Sequence, residues 1–150
     1  PMSATTPPPR YWTREFIDSL ADAFNRSERF QRAARGFCET LILRALDAPD
    51  GQDCEAIFTF DQGRCVRHAF ESQAAPSRAL RGRPFDKARA LARSTAPYKL
   101  WVRLDRGEIG VAQALASPDY DIEGSKLKIM RYVGVLTAMN AVVAELPKTY

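Results

Sequence analysis

Apolar positions recur every three to four residues near the start of the chain. Trp12, Phe16, Leu20 and Phe24, widened by Ile17, form one stripe, and this spacing predicts a helix over residues 13–25 with Thr13 as its cap. Trp12 is placed to staple onto Ile17 across the first turn. A second short helix is expected over residues 28–35, ended by Gly36 in a left-handed conformation. The period then falls to two. Residues 37–46 read as a strand, aliphatic on both faces at LILRAL. Residues 54–60 alternate with Cys54, Ala56, Phe58 and Phe60 on one face, and residues 63–71 return with Val66, His68 and Phe70 together. Asp61-Gln62-Gly63 is the hairpin connection between them.

The second half is less regular. Residues 73–84 read as a basic loop. Residues 86–94 support helix and strand equally: their alanines favour a helix, whereas Ala88, Ala90 and Ala92 alternate with charged or larger residues as in a strand. A helix is expected over residues 95–106, capped by Thr95, carrying Pro97 in its first turn and stopped by Gly107. A short helix over 110–117 and a short strand over 120–123, closed by Gly124, should follow. Ser125 then caps one long helix to about Leu146. From Tyr132 to Ala144 this helix carries no charge over 13 residues. That is too short to cross a bilayer, and a helix so apolar must bury more than one stripe.

The order of these phrases resembles the sterol carrier protein type-2 domain family. SERFQRAARGF followed by CETLILRAL, the hairpin FTFDQGR, and LWVRLDRGEIGVAQALASPDYDIEGSKLKIMRYVGVL carry the likeness, which spans about Tyr11 to Leu146. It implies an α+β fold with a five-stranded, mostly antiparallel sheet and helices on one face enclosing an apolar tunnel. It also resolves residues 86–94 as strand. It further implies a hydrophobic ligand, such as a fatty acid, fatty acyl-CoA or sterol, bound and transferred without catalysis. The alternative is an accessory subunit that presents a lipid-like substrate, a quinone precursor or a steroid, to a partner enzyme. The basic loop over residues 73–84 is longer than the usual connection in that family, and no SKL-type address closes the chain.

Chain length and composition fit this picture. With 150 residues the chain suits one domain, residues 11–150, after a proline-rich disordered tail over residues 1–10. A net charge of +4 falls short of a nucleic-acid-binding stripe. No charged leader precedes an apolar run, and the odd set Cys38, Cys54 and Cys65 reads as reduced, buried thiols within strands. Both features suggest a cytoplasmic protein, monomeric or weakly dimeric.

Candidate chemistry is sparse. His68 is the sole histidine, which excludes multi-histidine metal sites and gives a catalytic triad no independent support. Asp119, Asp121 and Glu123 alternate but lack further ligands at loop spacing, so no metal or cofactor is expected. Walker, GxGxxG, GxSxG and HExxH motifs are missing from the sequence, and no catalytic residue is assigned. The expected tunnel lining is Phe58, Phe60, Leu100, Trp101, Leu104, Leu115, Ile122, Met130, Val133, Leu136 and Met139. The basic group Arg78, Arg81, Arg83, Lys87, Arg89 and Arg93 is the expected contact for anionic headgroups or a membrane surface.

Overall fold

The computed structural model describes residues 6–150. The first helix, α1 (Arg14–Arg26), starts where the stripe predicts. The Thr13 side chain accepts the Phe16 amide, and Phe16, Ile17, Leu20, Ala21 and Phe24 are buried. Ser27 closes α1 and caps α2 (Glu28–Ala33), after which Gly36 takes a φ of 74°.

Three strands follow: β1 (Thr40–Leu46), β2 (Gln52–Asp61) and β3 (Arg64–Ala74). Gln62 and Gly63, both at positive φ, make the turn between β2 and β3. Val66 does not share a face with its expected partners. The β2–β3 register shifts between Thr59 and Phe60, whose partners are Arg67 and Cys65, so Val66 is the extra residue of a bulge and is 59% exposed. The expected loop over residues 73–84 instead begins inside β3 and contains a one-turn helix, α3 (Arg78–Arg81).

Two boundaries differ from expectation for physical reasons. Residues 87–89 form a turn, and β4 is Ala92–Pro97, in parallel register with β1 from Leu41↔Ala92 to Leu46↔Pro97. This ladder overrides the Thr95-Ala96-Pro97 helix-start signal. Pro97 becomes the residue before α4 (Tyr98–Asp105). Then come α5 (Val111–Ala116) and β5 (Asp121–Gly124).

The long final helix is two helices, α6 (Lys126–Arg131) and α7 (Val133–Glu145). They part at Tyr132, where φ is −104° and ψ 18°. The Tyr132 ring packs edge-on against Phe37 at 5.0 Å between centroids, and Gly134 beyond it is a poor helix former.

The sheet order is β3-β2-β1-β4-β5, antiparallel except for the central β1–β4 pair. The main core joins one face (Leu41, Ala45, Cys54, Ala56, Phe58, Ala92, Ala96) to side chains from α1, α2, α4, α5, α6 and α7. Leu80 of α3 is fully buried but lies outside that core, where the Arg44 guanidinium donates to its carbonyl. The expected arrangement of helices on one face therefore holds for the main layer, with α3 as an addition. The end of the expected tail is tied down: Thr149 N donates to Pro9 O, Tyr11 N donates to Thr149 O, and Arg10 pairs with Asp50 at 2.7 Å. Residues 1–5 lie outside the described residues.

Candidate ligand-binding site

Two hollows of different character adjoin the β1–β4 pair. One is an apolar cavity of about 100 Å³ between the inner sheet face and the helices. Its floor is Leu41, Leu43, Ala92 and Ser94. Phe16, Ile17 and Leu20 come from α1, Trp101 and Leu104 from α4, Leu115 from α5, and Leu136, Met139, Asn140 and Val143 from α7. The alternation of β1 and β4 supplies the floor, because residues two apart share a face. The charge-free stretch of α7 supplies the roof through Leu136, Met139, Asn140 and Val143, and it also buries Val135, Ala138 and Val142.

Six expected lining residues meet here: Trp101, Leu104, Leu115, Ile122, Leu136 and Met139. The other five lie elsewhere. Phe58 and Phe60 belong to an aromatic cluster with Phe24, with centroids 5.5 Å from its ring in both cases. Leu100 is buried but off the cavity wall, whereas Met130 and Val133 are 71% and 52% exposed. Sequence reasoning missed Phe16, Ile17 and Leu20. Their stripe read as ordinary core, and only the packing of α1 against the cavity separates the two roles. It also missed Tyr11 and Trp12, which line the cavity because the paired terminal segments hold them over it.

No lining residue is charged. Polarity comes from Ser94, Tyr120, Asn140 and the two tryptophan N–H groups. Trp101 Nε1 donates to Arg44 O at 2.9 Å, whereas Trp12 Nε1 is buried against the Tyr11 hydroxyl. Burial pushes the Tyr120 hydroxyl above its ordinary pKa of 10.0 despite a hydrogen bond with Ser94, so it stays neutral near neutral pH.

The second hollow is a more polar, open cleft of about 500 Å³. Cys38, Thr40, Thr59, Lys87, Arg89 and Lys128 are among its walls. Its lining includes Thr40 and Leu91, which immediately precede Leu41 and Ala92 of the apolar cavity in sequence.

The six expected basic contacts divide. Arg81 grips the buried Asp53 carboxylate through Nε at 2.8 Å and Nη2 at 2.9 Å. Arg83 bridges Glu55 at 2.7 Å and Glu71 at 2.9 Å, and the buried Arg93 pairs with Glu123 at 2.8 Å. These three side chains brace the outer sheet face. Arg78, Lys87 and Arg89 are exposed, with Arg89 loosely paired to Asp86 at 3.6 Å.

The remaining reactive groups do not assemble around the cavity. His68 Nε2 lies 2.8 Å from Asp18 Oδ1 at the surface between β3 and α1, and that is its one side-chain hydrogen bond among the described residues. Burial pushes the Cys54 thiol up to about 12 and raises that of Cys65, which suppresses the nucleophilic thiolate. Cys38 is exposed and lies outside the strands, contrary to the expectation that all three thiols are buried within them. Among the described residues, no group of three or more His, Cys, Asp or Glu side chains is placed to hold a metal ion, and no helix is long and apolar enough to cross a membrane.

This geometry, a five-stranded mixed sheet roofed by helices over an apolar hollow, is the sterol carrier protein fold. A crystal structure of sterol carrier protein 2 matches with a TM-score of 0.70 at 14% identity, over 91% of this chain and 99% of that one. A conserved hypothetical protein from Thermus thermophilus matches with a TM-score of 0.70 at 14% identity, over 99% of this chain and 97% of that one. Sterol carrier protein domain 2 of Helicoverpa armigera matches at 0.54 and 13% identity, over 99% and 100% of the two chains. No protein-family model and no curated relative matches the sequence. At these identities the likeness establishes the fold, and the ligand has to be argued from the cavity.

Proposed function

We propose that this protein binds and carries a lipid-like molecule without converting it, with the apolar part of the ligand in the cavity under α7. The observation that carries the reading is the uncharged lining from Leu41 and Ala92 to Met139 and Val143. Burying about ten methylenes at ~0.8 kcal/mol each supplies roughly 8 kcal/mol of gross binding energy, before the ordering costs of association. The sterol carrier fold supports the same reading.

The lining narrows the ligand class. An ionised carboxylate inside would lack a countercharge, at a desolvation cost of several kcal/mol. An alcohol, ester or ketone can pair with Ser94, Tyr120 or Asn140. The cavity therefore favours a neutral head, as in a sterol or fatty alcohol. A fatty acid or acyl-CoA would leave its charge outside, where Lys87 and Arg89 stand in the adjoining cleft and Arg78 is exposed nearby in sequence.

Solvent extraction of the purified protein followed by mass spectrometry should recover an amphiphile. Fluorescent fatty alcohol should bind more tightly than the matching fatty acid at neutral pH. Empty extracts together with no binding of either probe would overturn the proposal. Preference for the acid would overturn the neutral-head assignment alone.

A further inference from the structure

Five large apolar side chains are exposed among the described residues, and three of them fall within seven consecutive positions: Leu127 at 82%, Met130 at 71% and Val133 at 52%. The hydrophobic effect disfavours such clustering on a surface that faces only water. The cause is local. In α6 only Ile129 is buried, so one side chain fixes the helix and its opposite side must face outward. Leu127 and Met130, three residues apart, lie on one side of that helix.

The cluster is interleaved with charge of a single sign. Lys126, Lys128 and Arg131 are exposed, and no acidic residue occurs from Gly124 to Ala144. Lys126 and Arg131 make no ion pair among the described residues, and Lys128 reaches Glu39 only at 4.0 Å. Lys128 also shares the polar cleft with Lys87 and Arg89, which extends the positive surface beyond α6. The amphipathic helix α1, by contrast, has its apolar stripe sealed in the core.

We propose that the α6 face is a membrane-docking surface: Leu127, Met130 and Val133 enter the acyl boundary of a bilayer while Lys126, Lys128 and Arg131 meet its anionic headgroups. An apolar ridge ringed by cations is complementary to such an interface. A second copy of this chain is disfavoured as the occupant, because a two-fold contact here would set the same lysines and arginine against each other. The placement gives docking a purpose under the proposed function, on which the surface itself does not depend. α7, which roofs the cavity with Leu136 and Met139, is separated from the end of α6 by Tyr132 alone.

The test is co-sedimentation of the full chain with phosphatidylcholine vesicles, with and without phosphatidylserine. The intact protein should bind the phosphatidylserine vesicles, and added salt should weaken binding. The double substitution Leu127→Ser with Met130→Ser should lower vesicle affinity by about tenfold or more. It should leave the melting temperature and fluorescent fatty-alcohol binding unchanged, because both side chains are already in water. Replacing Lys126 and Arg131 by Glu, a second route that spares the apolar ridge, should remove the preference for phosphatidylserine. Vesicle binding that survives both variants overturns the proposal, as does an intact protein that ignores vesicles of either composition. A concentration-dependent dimer dispersed by the Ser variant would also overturn it, with a second copy as occupant. Vesicle binding without any uptake of fatty alcohol would instead refute the cavity reading and leave the docking surface standing.

Discussion

Asp53 of β2 is fully buried on the outer sheet face, under α3, and its surroundings explain how a carboxylate survives there. It accepts the Ser77 and Asp47 amides at 2.8 and 3.1 Å as well as the Arg81 guanidinium. Burial raises its pKa, but the Arg81 and amide hydrogen bonds outweigh burial and hold it below the usual 3.8. Hydrogen bonding from Arg83 likewise holds Glu71 below 4.5. Lowered folded-state values mean that both groups stabilise the fold at neutral pH, fully above their ordinary unfolded values. That contribution is lost as pH falls through the depressed folded values. Acid titration of stability should therefore show a loss below about pH 4 that is smaller in Asp53→Asn. Asp53→Ala, which leaves the Ser77 and Asp47 amides without their acceptor while Arg81 keeps Asp47 at 3.0 Å, should cost about 2 kcal/mol in chemical denaturation. At Gly124 the constraint is steric: φ is +137°, and an added Cβ would sit 2.3 Å from the Leu91 carbonyl oxygen. Gly124→Ala should cost roughly 2 kcal/mol or more, read in the same denaturation experiment.

At the scale of elements, sequence pattern was most informative where local periodicity and tertiary packing agree. The α1 stripe, the β2 alternation and the turn at Gln62-Gly63 are examples, since each is stabilised by its own residues. It was least informative where a distant partner decides. Thr95 and Pro97 carry a sound helix-start signal, yet the parallel ladder to β1 draws them into β4 and leaves Thr95 Oγ1 buried without a hydrogen-bond partner among the described residues. Gly134 marks the break at Tyr132 only faintly, because the ring that packs on Tyr132, Phe37, lies nearly a hundred residues away. The cavity was partly legible for the same reason. The charge-free run of α7 pointed to a roof, but Phe58 and Phe60 look identical to lining residues until the aromatic cluster around Phe24 is seen. The two parts of the C-terminal segment should also differ in dynamics. α6 is held by Ile129 alone, whereas α7 buries four side chains. Amide hydrogen exchange should accordingly be faster in α6 than in the middle of α7.

For the molecule as a whole, cavity size is the main physical constraint on the proposed function. About 100 Å³ accommodates roughly three groups of water size, well short of the ~300 Å³ at the lower end of small-molecule sites. A lipid therefore enters only if the lining yields. The unbranched Met139 and its neighbour Leu136 on the roof are suited to this, next to an α6 with one buried anchor. Uptake should be gated. In stopped-flow mixing with excess fluorescent fatty alcohol, the observed rate should level off at a ceiling set by opening rather than rise linearly with concentration.

The central claim, that the ligand lies between the sheet and α7, is tested most directly by methyl NMR of protein titrated with a long-chain alcohol. Contacts should appear at Leu115, Ile122, Leu136 and Met139, which line the cavity, and not at the bulged Val66 on β3. Alcohol contacts confined to Leu127, Met130 and Val133, or no contact with any cavity methyl at saturation, would contradict it.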